Sequence, residues 1–305
     1  MRLLAQGPSM TWDTVHREEI PTGETIAYRH RDGDVPLVLL HGNLSSSLFW
    51  DLVVDSLDDR YEVYAPDLRG FGESSYEASF DSLAALADDV EQFAEAVGLE
   101  DFHLWGWSAG GGVAMQLAAD APARVRRLVL MAPPSTQGLP VYRKDENLQP
   151  TAEVLTTREE LAEDPVSVAP VLAAIEAGDV EAMKEIWRAA IFVNETPDEA
   201  RFERYMQESL KERCLLDVDY ALVHFNISED DNGVEPGTGE VTDIDAPTLV
   251  MRGEDDGVVG EHLVDRVVQD VEGAEFVELT GCGHAPPVDD LDGLLGAVEP
   301  FLRGD

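Results

Sequence analysis

Residues 101–112 read Asp-Phe-His-Leu-Trp-Gly-Trp-Ser-Ala-Gly-Gly-Gly, and the fold is decided there. Phe102, Leu104 and Trp105 form a short apolar run suited to a buried strand. The run enters Gly106-Trp107-Ser108-Ala109-Gly110, after which Val113, Ala114, Leu117 and Ala118 recur at helical spacing. Strand, sharp turn and helix are the context in which Gly-x-Ser-x-Gly carries chemistry. A serine at the apex of a strained turn needs small residues two before and two after it, so that strand and helix can approach. The helix N-terminus beneath Ser108 would favour negative charge developing above the sheet.

Outward from this turn, strands and helices alternate. Thr14 to Ile20 and Thr25 to Arg31 are expected to pair as a hairpin across Pro21-Thr22-Gly23. Val35 to Leu40 is a fully apolar strand ending in His41-Gly42-Asn43. The serine cluster Ser45 to Ser47 then opens a helix carrying Phe49, Trp50, Leu52, Val53 and Leu57. Tyr61 to Ala65 is a strand, Ser82 to Val97 a periodic helix stopped by Gly98, and Val125 to Met131 another strand. The rhythm breaks at Pro133-Pro134. Helices without strands are expected over Thr157 to Glu163, Pro165 to Ala177, Val180 to Phe192, Pro197 to Cys214 and Leu216 to Phe225. Asn226 to Asp245 follows as an acidic, Gly-containing loop, with Ser228 to Glu240 expected to be solvated and mobile. Strand Thr248 to Arg252, helix Gly260 to Gln269, strand Ala274 to Leu279 and helix Val288 to Leu302 complete the chain. Alternating elements imply a parallel sheet with crossovers. An all-helical insertion between its strands would cap the carboxyl edge, where ligands bind in open α/β sheets.

The 305 residues hold 21 basic against 62 acidic side chains, a net charge of 21 − 62 = −41. Lys144, Lys184 and Lys211 are the only lysines. The acids are spread through every segment among ordinary apolar periodicity, so they coat a folded protein and do not form an acidic tail. Salt should screen the self-repulsion of such a surface, predicting a salt-requiring protein like those of extreme halophiles. The same charge argues against nucleic acid and anionic membranes as partners. Cys214 and Cys282 fit neither a disulfide framework nor a zinc site, and reduced thiols point to the cytoplasm. Residues 1–11 are expected to be a disordered extension, with too little apolar length for a secretory leader. No apolar run approaches the roughly 20 residues of a membrane span.

A serine hydroxyl needs a base to take its proton and a third group to orient that base. Gly281-Cys282-Gly283-His284 follows a late strand, so His284 can project back over the sheet. Gly253-Glu254-Asp255-Asp256-Gly257 follows strand Thr248 to Arg252 and supplies the acid. On chemistry alone its three carboxylates are equivalent candidates. The stretch Ala132 to Arg143, the alternative site for an acid, contains none.

These motifs together resemble the α/β-hydrolase fold family, in its capped, lipase- and esterase-like form. The resemblance covers about Val35 to Met131 and Pro247 to Leu302. It rests on His41-Gly42-Asn43, on Pro66-Asp67-Leu68-Arg69-Gly70-Phe71-Gly72-Glu73-Ser74, on the serine turn, and on the acid and histidine loops in the order Ser, Asp, His. It implies a mostly parallel eight-stranded sheet flanked by helices, with a core over residues 12–132 and 246–305. An all-helical cap is inserted after the sixth strand, over residues 133–245. The family's acid stands third after the glycine, which selects Asp256. The resemblance further implies the triad Ser108, Asp256, His284 and an oxyanion hole from the N–H groups of Asn43 and Ala109. His41 and Trp107 would shape the pocket, and Asp67 and Arg69 would form a structural pair.

Related dehalogenases and epoxide hydrolases use an aspartate nucleophile, whereas Ser108 points to acyl transfer. The expected activity is hydrolysis of a small-molecule carboxylic ester through an acyl-enzyme. C–C bond hydrolysis, enol-lactone hydrolysis or ligand binding on a retained triad are the alternatives. Of Trp187, Ile191, Phe192, Phe202, Tyr205, Met206 and Tyr220, most would pack the cap helices on one another and some would face the cleft, giving a mainly apolar acyl pocket. Arg143, Lys144 and Arg188 are the candidate anion-binding residues. No cofactor is expected, and no metal: in Ser228 to Glu240 the positions of a calcium loop fail at its first and twelfth residues.

Overall fold

A computed structural model describes residues 12–304; the extension expected over 1–11 lies outside them. The strand leading to Ser108, β5 (Phe102–Trp107), is buried along its whole length at the centre of an eight-stranded sheet. On one side it pairs in parallel with β3 (Val35–Leu40), Leu39 opposite Trp105. On the other it pairs with β6 (Val125–Met131), Trp105 opposite Val129. With β1 (His16–Glu19), β2 (Thr25–Arg31), β4 (Tyr61–Pro66), β9 (Thr248–Gly253) and β10 (Glu275–Leu279) the order is β1-β2-β4-β3-β5-β6-β9-β10. Only β1–β2 and β2–β4 are antiparallel. The remaining pairs are parallel.

The apolar runs of the central strands, residues 37–40 and 128–131 among them, follow from having both faces covered. Leu37 and Leu39 of β3, Trp105 and Val129 enter one core with helices α1 (Asp51–Ser56) and α11 (Leu291–Arg303). Val38, Leu40, Leu104 and Leu128 enter the other, against α2 (Leu83–Ala96), α3 (Ala109–Asp120) and α9 (Glu261–Asp270). Helix α2 starts where Ser82 caps it by accepting the Ala85 N–H, and stops at Gly98 with φ +82°. A short helix, α10 (Pro286–Asp289), precedes α11.

Between β6 and β9 lie α4 (Arg158–Ala162), α5 (Ala169–Ala177), α6 (Val180–Ala190), α7 (Glu199–Ser209) and α8 (Leu215–Val223). The expectation of an all-helical insertion is corrected by a hairpin of β7 (Tyr142–Lys144) and β8 (Pro150–Val154). Its residues are mostly exposed, so no apolar alternation marks it. An aspartate turn holds it, with Asp145 Oδ1 accepting the N–H groups of Asn147 and Gln149. Residues 228–240 are solvated along most of their length, as expected, but side-chain hydrogen bonds order them. Ile227 and Ser228 are buried, Asn232 Oδ1 accepts the N–H groups of Val234 and Glu235, and a 3-10 turn spans Glu240–Asp243. Side-chain acceptors do here what a regular ladder does elsewhere, and that leaves no periodic signature. Among the described residues no helix is long and apolar enough to cross a membrane. Cys214 and Cys282 are both buried free thiols.

Candidate active site

Ser108 sits at the junction of β5 and α3 with φ +52° and ψ −123°, a conformation costing a non-glycine residue about 1–3 kcal/mol. The neighbouring glycines make the junction possible. A Cβ on Gly106 would lie 2.3 Å from the Gly110 carbonyl oxygen, and one on Gly110 2.4 Å from that of His41. Strand, helix and the loop after β3 therefore meet at backbone distance. A Cβ on Gly42 would stand 3.6 Å from Ser108 Oγ, which puts the Gly42-Asn43 turn beside the hydroxyl. Ala109 opens α3, so its N–H has no intrahelical acceptor.

His41 supports that turn from below and does not line the pocket. It is fully buried, its Nδ1 lies 2.8 Å from the Gly42 carbonyl, and its Nε2 accepts the Leu68 N–H at 3.0 Å. Burial pushes its pKa down, so the neutral ring fits these two bonds. Asp67 and Arg69 are structural but are not a pair. Asp67 accepts the N–H groups of Ser47 and Glu73 and lies 3.9 Å from Arg29. Arg69 makes a two-point bond to Asp89 from the helix behind it.

His284, 2% exposed, reaches Asp256 Oδ2 through Nδ1 at 2.9 Å. Asp256 Oδ1 accepts the N–H groups of Val258 and Val259 at 2.8 and 3.0 Å, so both oxygens are committed. Burial raises the Asp256 pKa, but His284 and those N–H groups outweigh it and hold the carboxyl below its ordinary range. The other two acids of the loop are exposed: Asp255 accepts from Asn194 and Glu254 from the Gly281 N–H. With Nδ1–H donated to Asp256, the neutral imidazole carries its lone pair on Nε2. Trp107, next to Ser108, donates its indole N–H to the His284 carbonyl at 2.8 Å, and the two rings lie 5.9 Å apart. That bond draws the histidine loop to the serine turn.

An apolar cleft opens here between Trp107, Met131, Phe49, Phe192, Tyr205 and Pro287. Tyr205 stacks on Phe49 at 4.1 Å and donates its hydroxyl to buried Asp51. Trp187 packs 5.1 Å from Phe49, and Phe202 supports Phe192 edge-on. Tyr220 stands apart, stacked on His224 with Arg158 over its ring. Sequence reasoning placed Phe49 and Trp50 on a helix but not in the cleft; the signal was their position just after the turn beside Ser108. The three candidate anion-binding residues do not converge. Arg143 pairs with Glu153 and Glu160, Lys144 with Asp164, and Arg188 lies over Phe202.

Two acids unforeseen in the sequence reach the turn beside Ser108. Glu212 accepts the Leu44 N–H and Asp219 accepts from the Asn43 amide, each at 3.0 Å. Burial, with Asp219 nearby, pushes Glu212 well above the usual carboxylate range. Burial and Asp164 push Asp219 up to about 7, against the opposing bond from Asn43.

Residues 35–171 match the family model of the alpha/beta hydrolase fold. The sheet order, the serine junction and that match agree. The chain has the α/β-hydrolase fold. A pimeloyl-acyl-carrier-protein methyl ester esterase of Nitrosomonas europaea is 29% identical across 82% of this chain and 88% of its own length. A dihydrolipoyllysine-residue acetyltransferase component of an acetoin-cleaving system from Cupriavidus necator is 36% identical, but this chain spans only 38% of that protein. Among solved structures, an esterase from a Rhodococcus species is 25% identical with a TM-score of 0.69, covering 95% of this chain and 98% of that one. The enol-lactonase of Burkholderia xenovorans shares the fold, with a TM-score of 0.69 at 18% identity over 94% and 100% of the two chains. With an esterase aligned over most of its length, the chain is an enzyme of the α/β-hydrolase type.

Proposed function

We propose that this α/β-hydrolase cleaves carboxylic esters of small molecules with Ser108 as nucleophile, His284 as base and Asp256 as its orienter. The observation that carries the reading is the buried His284–Asp256 bond at 2.9 Å, beside a serine forced to φ +52° at a helix N-terminus. In this reading His284 Nε2 takes the Ser108 proton as Oγ attacks the acyl carbon. The N–H groups of Asn43 and Ala109 receive the oxyanion, a contribution of about 10²–10³ in rate for each fixed donor. The protonated imidazole, stabilised by Asp256, returns its proton to the leaving alcohol. Water then repeats the cycle on the acyl-enzyme and frees Ser108.

The 133–245 segment acts as a cap in this scheme, because its Phe192 and Tyr205 face the cleft across from Phe49 and Trp107. Those rings suit an apolar acyl group. Lactone cleavage is the same acyl transfer with the alcohol tethered, so an enol-lactone is the nearest alternative substrate. The proposed setting is the cytoplasm, with no cofactor in any step. Nitrophenyl esters assayed in multimolar salt test the reading. Wild-type protein should turn them over and label with a fluorophosphonate, and Ser108→Ala should do neither. Turnover retained in Ser108→Ala would refute it.

A further inference from the structure

The turn Asn43-Leu44 lies beside Ser108, and in the hydrolase reading it supplies one of the two oxyanion donors. Within the turn itself the Leu44 N–H also meets Asn43 Oδ1 at 3.0 Å, and the insertion adds the rest. Leu44 has φ +57°, a left-handed conformation that a branched apolar side chain avoids. Three side chains from one short stretch of the insertion close on these two residues. Ser209, at the end of α7, donates its hydroxyl to the Leu44 carbonyl. Glu212, between α7 and α8, accepts the Leu44 N–H at 3.0 Å, and Asp219 in α8 accepts from the Asn43 amide at 3.0 Å. Both backbone groups of Leu44 and the Asn43 side chain are thus held by residues 209–219.

Glu212 is a poor choice for stability. It is 3% exposed, and its second oxygen, Oε1, is buried without a hydrogen-bond partner. Leaving a carboxyl oxygen unmet in the interior is unfavourable, and a leucine or methionine would pack there at less cost. A strained turn beside the nucleophile, clamped by a buried acid that packing does not require, points to function.

We propose that Ser209, Glu212 and Asp219 are positioning residues that pre-organise the oxyanion turn, so that the insertion completes the reaction centre as well as covering it. The proposal rests on the serine-hydrolase reading. Glu212 acts as a hydrogen-bond acceptor and not as a charge. A fixed negative charge behind the turn would oppose the oxyanion, and burial pushes this carboxyl's pKa upward, toward the neutral form. A glutamine, which offers the same carbonyl oxygen, should therefore serve in its place.

The test compares Glu212→Ala, Asp219→Ala, Ser209→Ala and Glu212→Gln in full-length protein. It uses a nitrophenyl ester and a trifluoromethyl ketone of the same acyl chain, which forms a tetrahedral adduct at a reactive serine. Glu212→Ala and Asp219→Ala should each lose about 10- to 100-fold in kcat, a fraction of what removing a donor costs. KM should stay within threefold, and the ketone's inhibition constant should rise in step with the loss. Ser209→Ala should show the same pattern at smaller size, and Glu212→Gln should recover kcat to within threefold. Unchanged kcat in the alanine variants overturns the proposal, as does a loss confined to KM. Should Glu212→Ala fail to fold by circular dichroism, Ser209→Ala and Asp219→Ala decide on the same criteria. Wild-type turnover lost in Ser108→Ala tests the hydrolase reading separately. If wild-type protein hydrolyses no ester and takes no fluorophosphonate, that reading falls and the proposal with it.

Discussion

Among single residues, the three adjacent acids of the loop after β9 offer the sharpest contrast. Only Asp256 touches His284; Asp255 is exposed and bonded to Asn194. Asp256→Asn should lower kcat by about 10⁴, the loss seen when a triad's orienting anion becomes an amide. Asp255→Asn should stay within threefold, and initial rates on one ester compare them; equal losses would refute the assignment. Asp219 makes a prediction about stability. Its folded pKa of about 7 exceeds the ordinary aspartate value near 3.9. Between about pH 4 and 7 the folded chain holds a proton that the unfolded chain has released. Stability from this group is therefore present below pH 4, falls as pH rises through that window, and is flat above it. Asp219→Asn should remove that slope, so its urea midpoint relative to wild type should rise between pH 5 and pH 8. A constant difference would show that Asp219 does not titrate in this window. The residues of the proposed triad could be picked out because each stands in a motif at a strand end. Glu212 and Asp219 could not: in a chain with 62 acids, a buried carboxyl has no local mark that separates it from a solvated one.

At the scale of elements, the serine junction is a packing problem solved by absent side chains. A Cβ on Gly106 would meet the backbone of Gly110 and Gly111, which cannot rotate away as a side chain could. Gly106→Ala should push α3 off β5, displacing Ser108 from the turn beside it. The expected result is at least a 10²-fold loss of kcat with helix content retained by circular dichroism; wild-type kcat would show that the junction yields. Core strands such as Val35–Leu40 and Val125–Met131 were readable to the residue, because burial on both faces leaves apolar runs such as residues 37–40 and 128–131 within them. The β7–β8 hairpin and the 226–245 loop were not. Both are built from aspartate and asparagine turns whose hydrogen bonds replace apolar periodicity. The Asp67–Arg69 pairing failed for a related reason. Adjacency in a motif says nothing of direction: Asp67 turns to the backbone of Ser47 and Glu73, and Arg69 to Asp89 of α2.

For the whole molecule, the net charge of −41 governs behaviour in solution. Even if every basic residue paired with one acid, 62 − 21 = 41 carboxylates would be left without a cationic partner. The excess repels itself in the compact state more than in an expanded chain, so it weakens folding at low salt. The screening length falls from about 10 Å at 0.1 M to about 3 Å at 1 M ionic strength, below the usual spacing of surface charges. The melting temperature should therefore rise by several degrees between 0.1 and 2 M potassium chloride, most steeply at the lower end where screening changes fastest. Sodium sulfate should add a further rise, because it also strengthens apolar burial; sucrose shares that effect but screens no charge, so at matched osmolality it should raise the melting temperature less than the salt does. The His284–Asp256 bond is buried and screened far less, so the pH dependence of kcat should keep its shape across the series while the amount of folded enzyme changes. Equal melting temperatures at 0.1 and 2 M would mean that the acidic surface is tolerated without salt.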